Sequence, residues 1–199
     1  MTDLERALAD IAEVRERLAS AQRFKGYSAL AAGVSGIFAI VAGAVQALLI
    51  GTPAASHDGR VYFAIWFVCC AASMAVNYGA IAQWFVNDAS ARERWQTRTV
   101  GLSILPAVIL GAAISFALLH VQDFGLLPGV WFGCYGVGLF ASRLTVPRGV
   151  LPIAGAFVVI GAALLYVPPA IALQWWIPAT GFGLAQLAIA FLVGRERVH

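Results

Sequence analysis

Six stretches of this sequence extend over the width of a membrane without a single Asp, Glu, Lys or Arg. The clearest two are Val100 to Val121 and Leu126 to Ser142, which are joined by a short turn-forming link and bracketed by arginines at both outer ends. A hydrocarbon core of ~30 Å needs ~20 helical residues, so each stretch is long enough to cross once. The pattern therefore predicts a transmembrane helical hairpin.

The other four stretches predict four further spans, so we expect an all-α membrane protein with a six-helix bundle. Only 12% of the residues are charged, whereas a soluble domain carries about 25%. We expect a helix over residues 1–26, one membrane domain over 27–194 and a tail over 195–199. No cleavable signal peptide is expected, because the first apolar stretch continues for a full span. The four further spans are predicted at Ser28 to Ile50, Val61 to Val86, Gly149 to Val167 and Trp175 to Gly194.

The positive charges fall almost entirely on one side of this bundle. Twelve of the 13 basic residues lie in the N-terminal segment, the tail and the links that follow spans two and four, and the exception is Arg60. Lys and Arg concentrate in cytoplasmic loops, so both termini are predicted to be cytoplasmic. Membrane topology accounts for these charges. We therefore expect the protein to contact the lipid bilayer and to bind no nucleic acid.

Residues 2–24 predict a helix of another kind. Thr2 and Glu5 fit a capping box, and apolar side chains recur at steps of three and four residues as in a coiled coil. Acids and bases balance, whereas a helix that binds anionic lipid is basic. Two interpretations stay open: a solvated helix on the cytoplasmic loops, or a docking helix for a second copy or a cytoplasmic protein. The apolar stripe consists of Leu4, Ala7, Ile11, Val14, Leu18 and Ala21.

The spans also carry short repeated sequence motifs. Each odd span has a Gly-Ala step, at Gly43, Gly111 and Gly161, and the even spans begin near a tryptophan. Two even spans share the motif Trp-Phe-x-Cys, at Trp66 to Cys69 and Trp131 to Cys134, with a weaker third copy at Trp176 to Ala179. The pattern favours three parallel hairpin repeats related by an axis along the membrane normal.

No Asp, Glu, Lys or Arg lies in the middle of a span, although proton relays and intramembrane hydrolases need ionisable groups there. The three histidines are not spaced as ligands and no hydrolase motif is present. We therefore expect no enzyme, no metal and no cofactor. Cys69, Cys70 and Cys134 lie inside apolar stretches, where cysteine usually serves as a small packing residue.

Neutral polar side chains within the spans are the remaining candidates for function, chiefly Asn77, Tyr135 and Gln186. An amide in hydrocarbon must find a hydrogen-bond partner. Such a residue either joins two helices or lines a path for a solute. The sequence leaves both roles open for all three residues.

The segment from Glu16 to Ala44 resembles the opening of a family of uncharacterised bacterial membrane proteins with about six spans. The resemblance rests on a charged helix, the Arg23-Phe24 pair and the Ser35-Gly36-Ile37 word. It implies an inner-membrane location with a cytoplasmic N-terminal helix. Genes of the family sometimes stand beside small transcriptional regulators, which implies a role in sensing.

The same resemblance extends to two later segments. These are Leu127 to Trp131 with Tyr135-Gly136, and Gly181 to Gly183 in the last span. The family pattern often continues there to a histidine, and this chain carries Gln186 instead.

Two functional classes follow from the sequence. In the first, the protein is a non-enzymatic membrane component that assembles with itself or a partner through its N-terminal helix, in membrane sensing or regulation. In the second, it is a carrier or pore for a small neutral solute. A core closed by Gly and Ala packing would favour the first class, and a wet cavity that reaches Asn77 would favour the second.

Overall fold

The computed structural model describes residues 28–54, 56–87, 89–143 and 149–198, together with Arg6, Leu8 and Ile11. Within these residues the chain is helical, with no β-strand. A 3-10 turn at Phe124–Leu126 precedes the fourth helix. The helices are α1 (Ala29–Leu49), α2 (Ser56–Asn87), α3 (Ala91–Val121), α4 (Leu127–Ala141), α5 (Val150–Leu164), α6 (Pro169–Ala172) and α7 (Trp176–Val198).

Five helical segments of the described chain are long and apolar enough to cross a membrane. The prediction of an all-helical protein with several membrane-spanning helices is therefore confirmed. The five segments are Ala29–Leu49, His57–Asn87, Gly101–Val121, Phe124–Ala141 and Trp176–Arg195.

The predicted span from Gly149 to Val167 is the one whose helix is shorter than the hydrocarbon core is thick. Its helix, α5, has 15 residues, about 22 Å of length against a hydrocarbon core of ~30 Å. Leu165 to Val167 form a turn, in keeping with Pro168, since a proline disfavours helical backbone in the residue before it. A sixth span is accordingly not confirmed by helix length.

Two helices are longer than their predicted spans. α2 has 32 residues and α3 has 31, about 48 Å each. We predicted a polar link from Asn87 to Arg98, but α3 already begins at Ala91. Ala, Arg, Glu and Gln are good helix formers, so the charged residues end the apolar stretch without ending the helix. α7 likewise continues to Val198, through most of the predicted tail.

The helix α1 has defined signals at both ends. The Ser28 hydroxyl accepts a hydrogen bond from the Ala31 amide at 3.3 Å, as an N-cap does. At the other end Gly51 has φ +57° and donates its amide to the Gln46 carbonyl at 2.9 Å. Glycine adopts this left-handed conformation without strain, which lets the chain leave the helix.

The helices pack as two groups of three. In the first group α1 contacts α2 and, along most of its length, α7; in the second α4 contacts α3 and, along most of its length, α5. The α4–α5 contact is so close that a side chain on Gly161 would meet the backbone of Gly133. Glycine at such positions lets two membrane helices approach backbone to backbone.

Larger side chains fill the space between the two groups. Phe132 of α4 packs on Phe182 of α7 with ring centroids 4.7 Å apart, and Tyr62 of α2 stacks on Trp131 of α4 at 5.9 Å. α5 and α7 have few contacts with each other, unlike the first two hairpins. Three hairpins packed in the same way, as parallel repeats would require, are therefore not confirmed.

The links at one end of the bundle form a compact layer. A side chain on Gly59 would meet the Phe124 ring, and one on Gly125 would meet Pro169. Phe124 is buried with its neighbours in this layer. We call this end, formed by residues 50–54, 56–60, 122–127 and 165–175, the link end.

Of the predicted N-terminal helix, only three residues are described. Arg6, Leu8 and Ile11 have helical backbone. The stripe residues Leu4, Val14 and Leu18 lie outside the described residues, so the helix over residues 2–24 stays a prediction.

Candidate functional site: polar side chains within the bundle

Gln46 is the most highly connected polar side chain at the link end. Its Nε2 donates to the carbonyl oxygens of Gly51 at 3.0 Å and Leu173 at 2.8 Å. Its Oε1 accepts from the Trp66 indole N–H at 2.8 Å. Gln46 is fully buried, so these bonds replace water. One amide thus joins α1, α2, the link after α1 and the link before α7.

A second indole hydrogen bond repeats this arrangement in the other group. The Trp131 N–H of α4 donates to the Ser115 hydroxyl of α3 at 2.8 Å. Ser115 in turn donates to the Gly111 carbonyl of its own helix at 2.6 Å. In both of the first two hairpins, therefore, the indole N–H of the repeated tryptophan in the second helix donates to a polar side chain of the first helix.

Asn77 lies further from the link end and connects α2 to α1. Its Nδ2 donates to the Ser35 hydroxyl at 2.7 Å and to the Ser73 carbonyl of its own helix at 2.8 Å. Ser35 is buried, and its hydroxyl donates a hydrogen bond to the Ala31 carbonyl at 2.9 Å. The side-chain amide N–H groups of Asn77 are thus used within the bundle.

Tyr135 and Gln186 meet between the two groups. The Gln186 Nε2 of α7 lies 2.9 Å from the Tyr135 hydroxyl of α4, as a donor to it. The Tyr135 ring packs edge-on against Phe157 at 4.8 Å and Phe182 at 5.4 Å between centroids. The pair therefore sits in a layer of aromatic rings rather than in a polar channel.

Two buried side-chain oxygens have no hydrogen-bond partner among the described residues, Tyr62 Oη and Gln186 Oε1. Both belong to side chains that cross between the two groups, since Tyr62 stacks on Trp131 and Gln186 bonds Tyr135. An unpaired buried oxygen costs about 1–3 kcal/mol. The polar side chains within a group are better satisfied than those that join the groups.

The cysteines are free thiols. Cys70 is exposed, while Cys69 and Cys134 are half-buried. Cys134 faces Gly111, where an added side chain would come within 3.2 Å of its Cβ. Among the described residues no cluster of His, Cys, Asp and Glu could hold a metal ion.

An apolar cavity of about 320 Å³ opens on the outer surface of the second group. α3, α4 and α5 all contribute to its wall, and Cys134 borders it. None of Asn77, Tyr135 and Gln186 lines this cavity.

The structure brings two of the three predicted polar residues together, Tyr135 and Gln186, and places Asn77 in a separate contact on α1. Sequence analysis did not single out Gln46, Ser115 or Ser35 as partners. A signal was present, because each repeated tryptophan follows a polar residue of the preceding span, by 20 positions for Gln46 and by 16 for Ser115.

Comparison with known proteins returns no relationship. No protein-family model, curated protein sequence or solved structure matches this chain. The family resemblance and the functional classes that follow from the sequence remain predictions.

Proposed function

We propose that this chain is a non-enzymatic integral membrane protein that acts by assembly, through residues 2–24, with a second copy or a cytoplasmic protein partner. Its role is membrane sensing or regulation. The membrane domain has six spans, with both termini in the cytoplasm of a bacterial cell and the link end outside.

The observation that carries this proposal is the exposure of Ile11, the one residue of the N-terminal stripe that the structure describes. Ile11 has helical backbone and is 50% exposed, and its neighbour Leu8 is 58% exposed. A helix packed on the cytoplasmic loops would bury Ile11. An isolated helix of this length is marginal in water, so an exposed apolar side chain at Ile11 favours a partner from outside the chain.

The polar contacts of the bundle support the same proposal. Gln46, Asn77 and Trp131 form hydrogen bonds with neighbouring parts of the bundle. Glycine contacts close the α4–α5 interface. Such a bundle serves as a scaffold that holds the N-terminal helix at the membrane.

Two aspartates placed in the stripe test the proposal. Burying one such side chain is worth about 1.5–3 kcal/mol, so Ile11→Asp with Leu18→Asp should abolish the contact. The matched control is Ala12→Asp with Ala19→Asp, which adds the same charge outside the stripe, at positions about 100° around the predicted helix from Ile11 and Leu18. Disulfide cross-linking of a cysteine placed at Leu4, in membranes, measures contact with a second copy.

We expect the cross-link to form in the parent and the control and to be lost in the stripe variant. If the parent gives no cross-link, a partner protein is the alternative, and the same variants are compared by affinity purification from membranes. Equal behaviour of the stripe variant and its control in both measurements would refute assembly through this helix.

One observation favours a second candidate, a carrier for a small neutral solute. Gln186 Oε1 is a buried acceptor without a partner among the described residues, close to the Tyr135 hydroxyl. A solute with a hydrogen-bond donor would satisfy it. Reconstituted vesicles that take up urea or glycerol, and lose this uptake on Gln186→Leu, would establish the carrier; equal permeability of protein-free vesicles would exclude it for those probes.

The topology has its own test. The short helix α5 reaches about 22 Å, and a bilayer accommodates such a mismatch by local thinning. Single cysteines at Gln174 and Thr97 should react with a membrane-impermeant maleimide from opposite sides. Labelling of both from the same side would contradict six spans with cytoplasmic termini.

A further inference from the structure

The apolar cavity on the second group has the form of an open groove. Its wall includes exposed side chains from three helices, Leu110 of α3, Val137 of α4 and Ala162 of α5. The floor includes Gly133, where an added Cβ would meet no atom of the described residues within 4 Å. Glycine at this position therefore leaves the groove open.

The depth of the groove places it inside the membrane. Leu110 belongs to the candidate span Gly101–Val121, and Gly133 and Val137 belong to Phe124–Ala141. The lining contains apolar and glycine residues and one thiol, that of Cys134. Water gains no hydrogen bonds on such a surface, so the groove is filled from the hydrocarbon phase.

The size of the groove fits one hydrocarbon chain. Its volume of about 320 Å³ is many times the ~10–15 Å³ that a single water molecule needs on the same measure, so the groove has room for a run of methylene groups. A polar small molecule would lose its hydration without gaining hydrogen bonds.

The short length of the neighbouring helix α5 favours binding of an acyl chain in the groove. α5 and α4 both have 15 residues, but the 3-10 turn at Phe124–Leu126 extends α4 to an 18-residue helical segment, whereas α5 ends at Leu164. Leu165, just beyond the end of α5, lines the groove. Lipid must therefore adapt its thickness beside this helix. A chain seated in the groove packs against protein where the bilayer is deformed.

We propose that this groove, on α3, α4 and α5, binds one acyl chain of a membrane lipid. The inference does not depend on the N-terminal helix or on assembly. It assigns the protein a binding site for a lipid chain within the membrane.

Filling the groove tests the site. Gly133→Leu places a side chain in the open space at its floor, and Ala162→Phe fills it from the wall as an independent variant. Gly79→Leu is the matched control, because a side chain at Gly79 also meets no atom of the described residues within 4 Å but lies on α2. The full-length protein is reconstituted in phosphatidylcholine vesicles that contain a phosphatidylcholine with a diazirine in one acyl chain.

After irradiation, mass spectrometry of peptides gives the labelling of Leu110 and Val137 relative to Leu48, an exposed residue of α1. We expect both filling variants to lower this ratio by about tenfold, which corresponds to ~1.4 kcal/mol of lost binding, while Gly79→Leu leaves it unchanged. Native mass spectrometry should show one retained lipid in the parent and control and none in the filled variants.

An unchanged labelling ratio in both filled variants would overturn the proposal. So would retention of the same lipid number in all proteins. A parent that is a dimer, and that the filling variants convert to a monomer without any change in lipid retention, would assign the groove to a second copy instead.

Discussion

Gln46→Leu should be among the most destabilising single substitutions in the membrane domain. Leucine nearly matches glutamine in volume, so the change removes hydrogen bonds without opening a large cavity. Three bonds are lost, to Gly51, Leu173 and Trp66. Their partners are left without the side chain that satisfied them at the link end.

The magnitude follows from the number of bonds. Interhelical hydrogen bonds in membranes average ~0.6 kcal/mol, and buried bonds in soluble proteins contribute up to ~1.5 kcal/mol. Three bonds therefore give a loss of about 2–4 kcal/mol. The double variant with Gln46→Leu and Trp66→Phe should lose less free energy of unfolding than the two single variants lose in sum. The reason is that the double variant has no indole N–H left without an acceptor.

The assay is reversible unfolding in mixed micelles, with the SDS fraction as the variable and circular dichroism as the signal. Gln83→Leu is the control, since Gln83 is an exposed amide on α2 and should change the free energy of unfolding by less than about 0.5 kcal/mol. If Gln46→Leu falls within that same range, the hydrogen bonds at Gln46 do not hold the link end together.

Other substitutions test the remaining contacts in the same assay. Gly161→Leu should destabilise by more than ~2 kcal/mol because its side chain would meet the backbone of Gly133, whereas Gly133→Leu should be tolerated; equal effects would refute the close α4–α5 approach. Asn77→Leu should cost about 1 kcal/mol through the lost bond to Ser35, and no change at all would mean that this bond contributes nothing. Gln186→Leu removes one bond and one unpaired oxygen, so the free energy should stay within about 1 kcal/mol; a larger loss would show that the oxygen has a partner.

The lengths of the apolar stretches predicted the helices well, because crossing a membrane requires an apolar helix of a certain length. Five apolar stretches correspond to helices that are long enough to cross. The helix ends were less predictable, because charge marks the limit of hydrocarbon and not of the helix. α3 begins at Ala91, well before the apolar stretch, and α5 ends at Leu164, before the apolar stretch does.

The partners of polar residues could not be predicted from the spans alone. A hydrogen bond between Gln46 and Leu173 joins residues 127 positions apart, and only the packing of α1 against α7 brings them together. The contacts of the third hairpin could not be predicted from the sequence for the same reason. Alanine follows Gly161 as it follows Gly43 and Gly111, yet Gly161 packs against the preceding helix α4, whereas Gly111 packs against the helix that follows it.

Deletion of Thr2 to Ala19 tests the proposed assembly most directly. The protein is extracted into native nanodiscs with and without this segment, and the mass distribution of the particles is measured together with the helix content. We predict that the parent contains two or more copies, or one copy with a partner protein, and that the deletion leaves single bundles with no loss of helix beyond the residues removed. Particles of the same composition before and after the deletion would contradict assembly through the N-terminal helix.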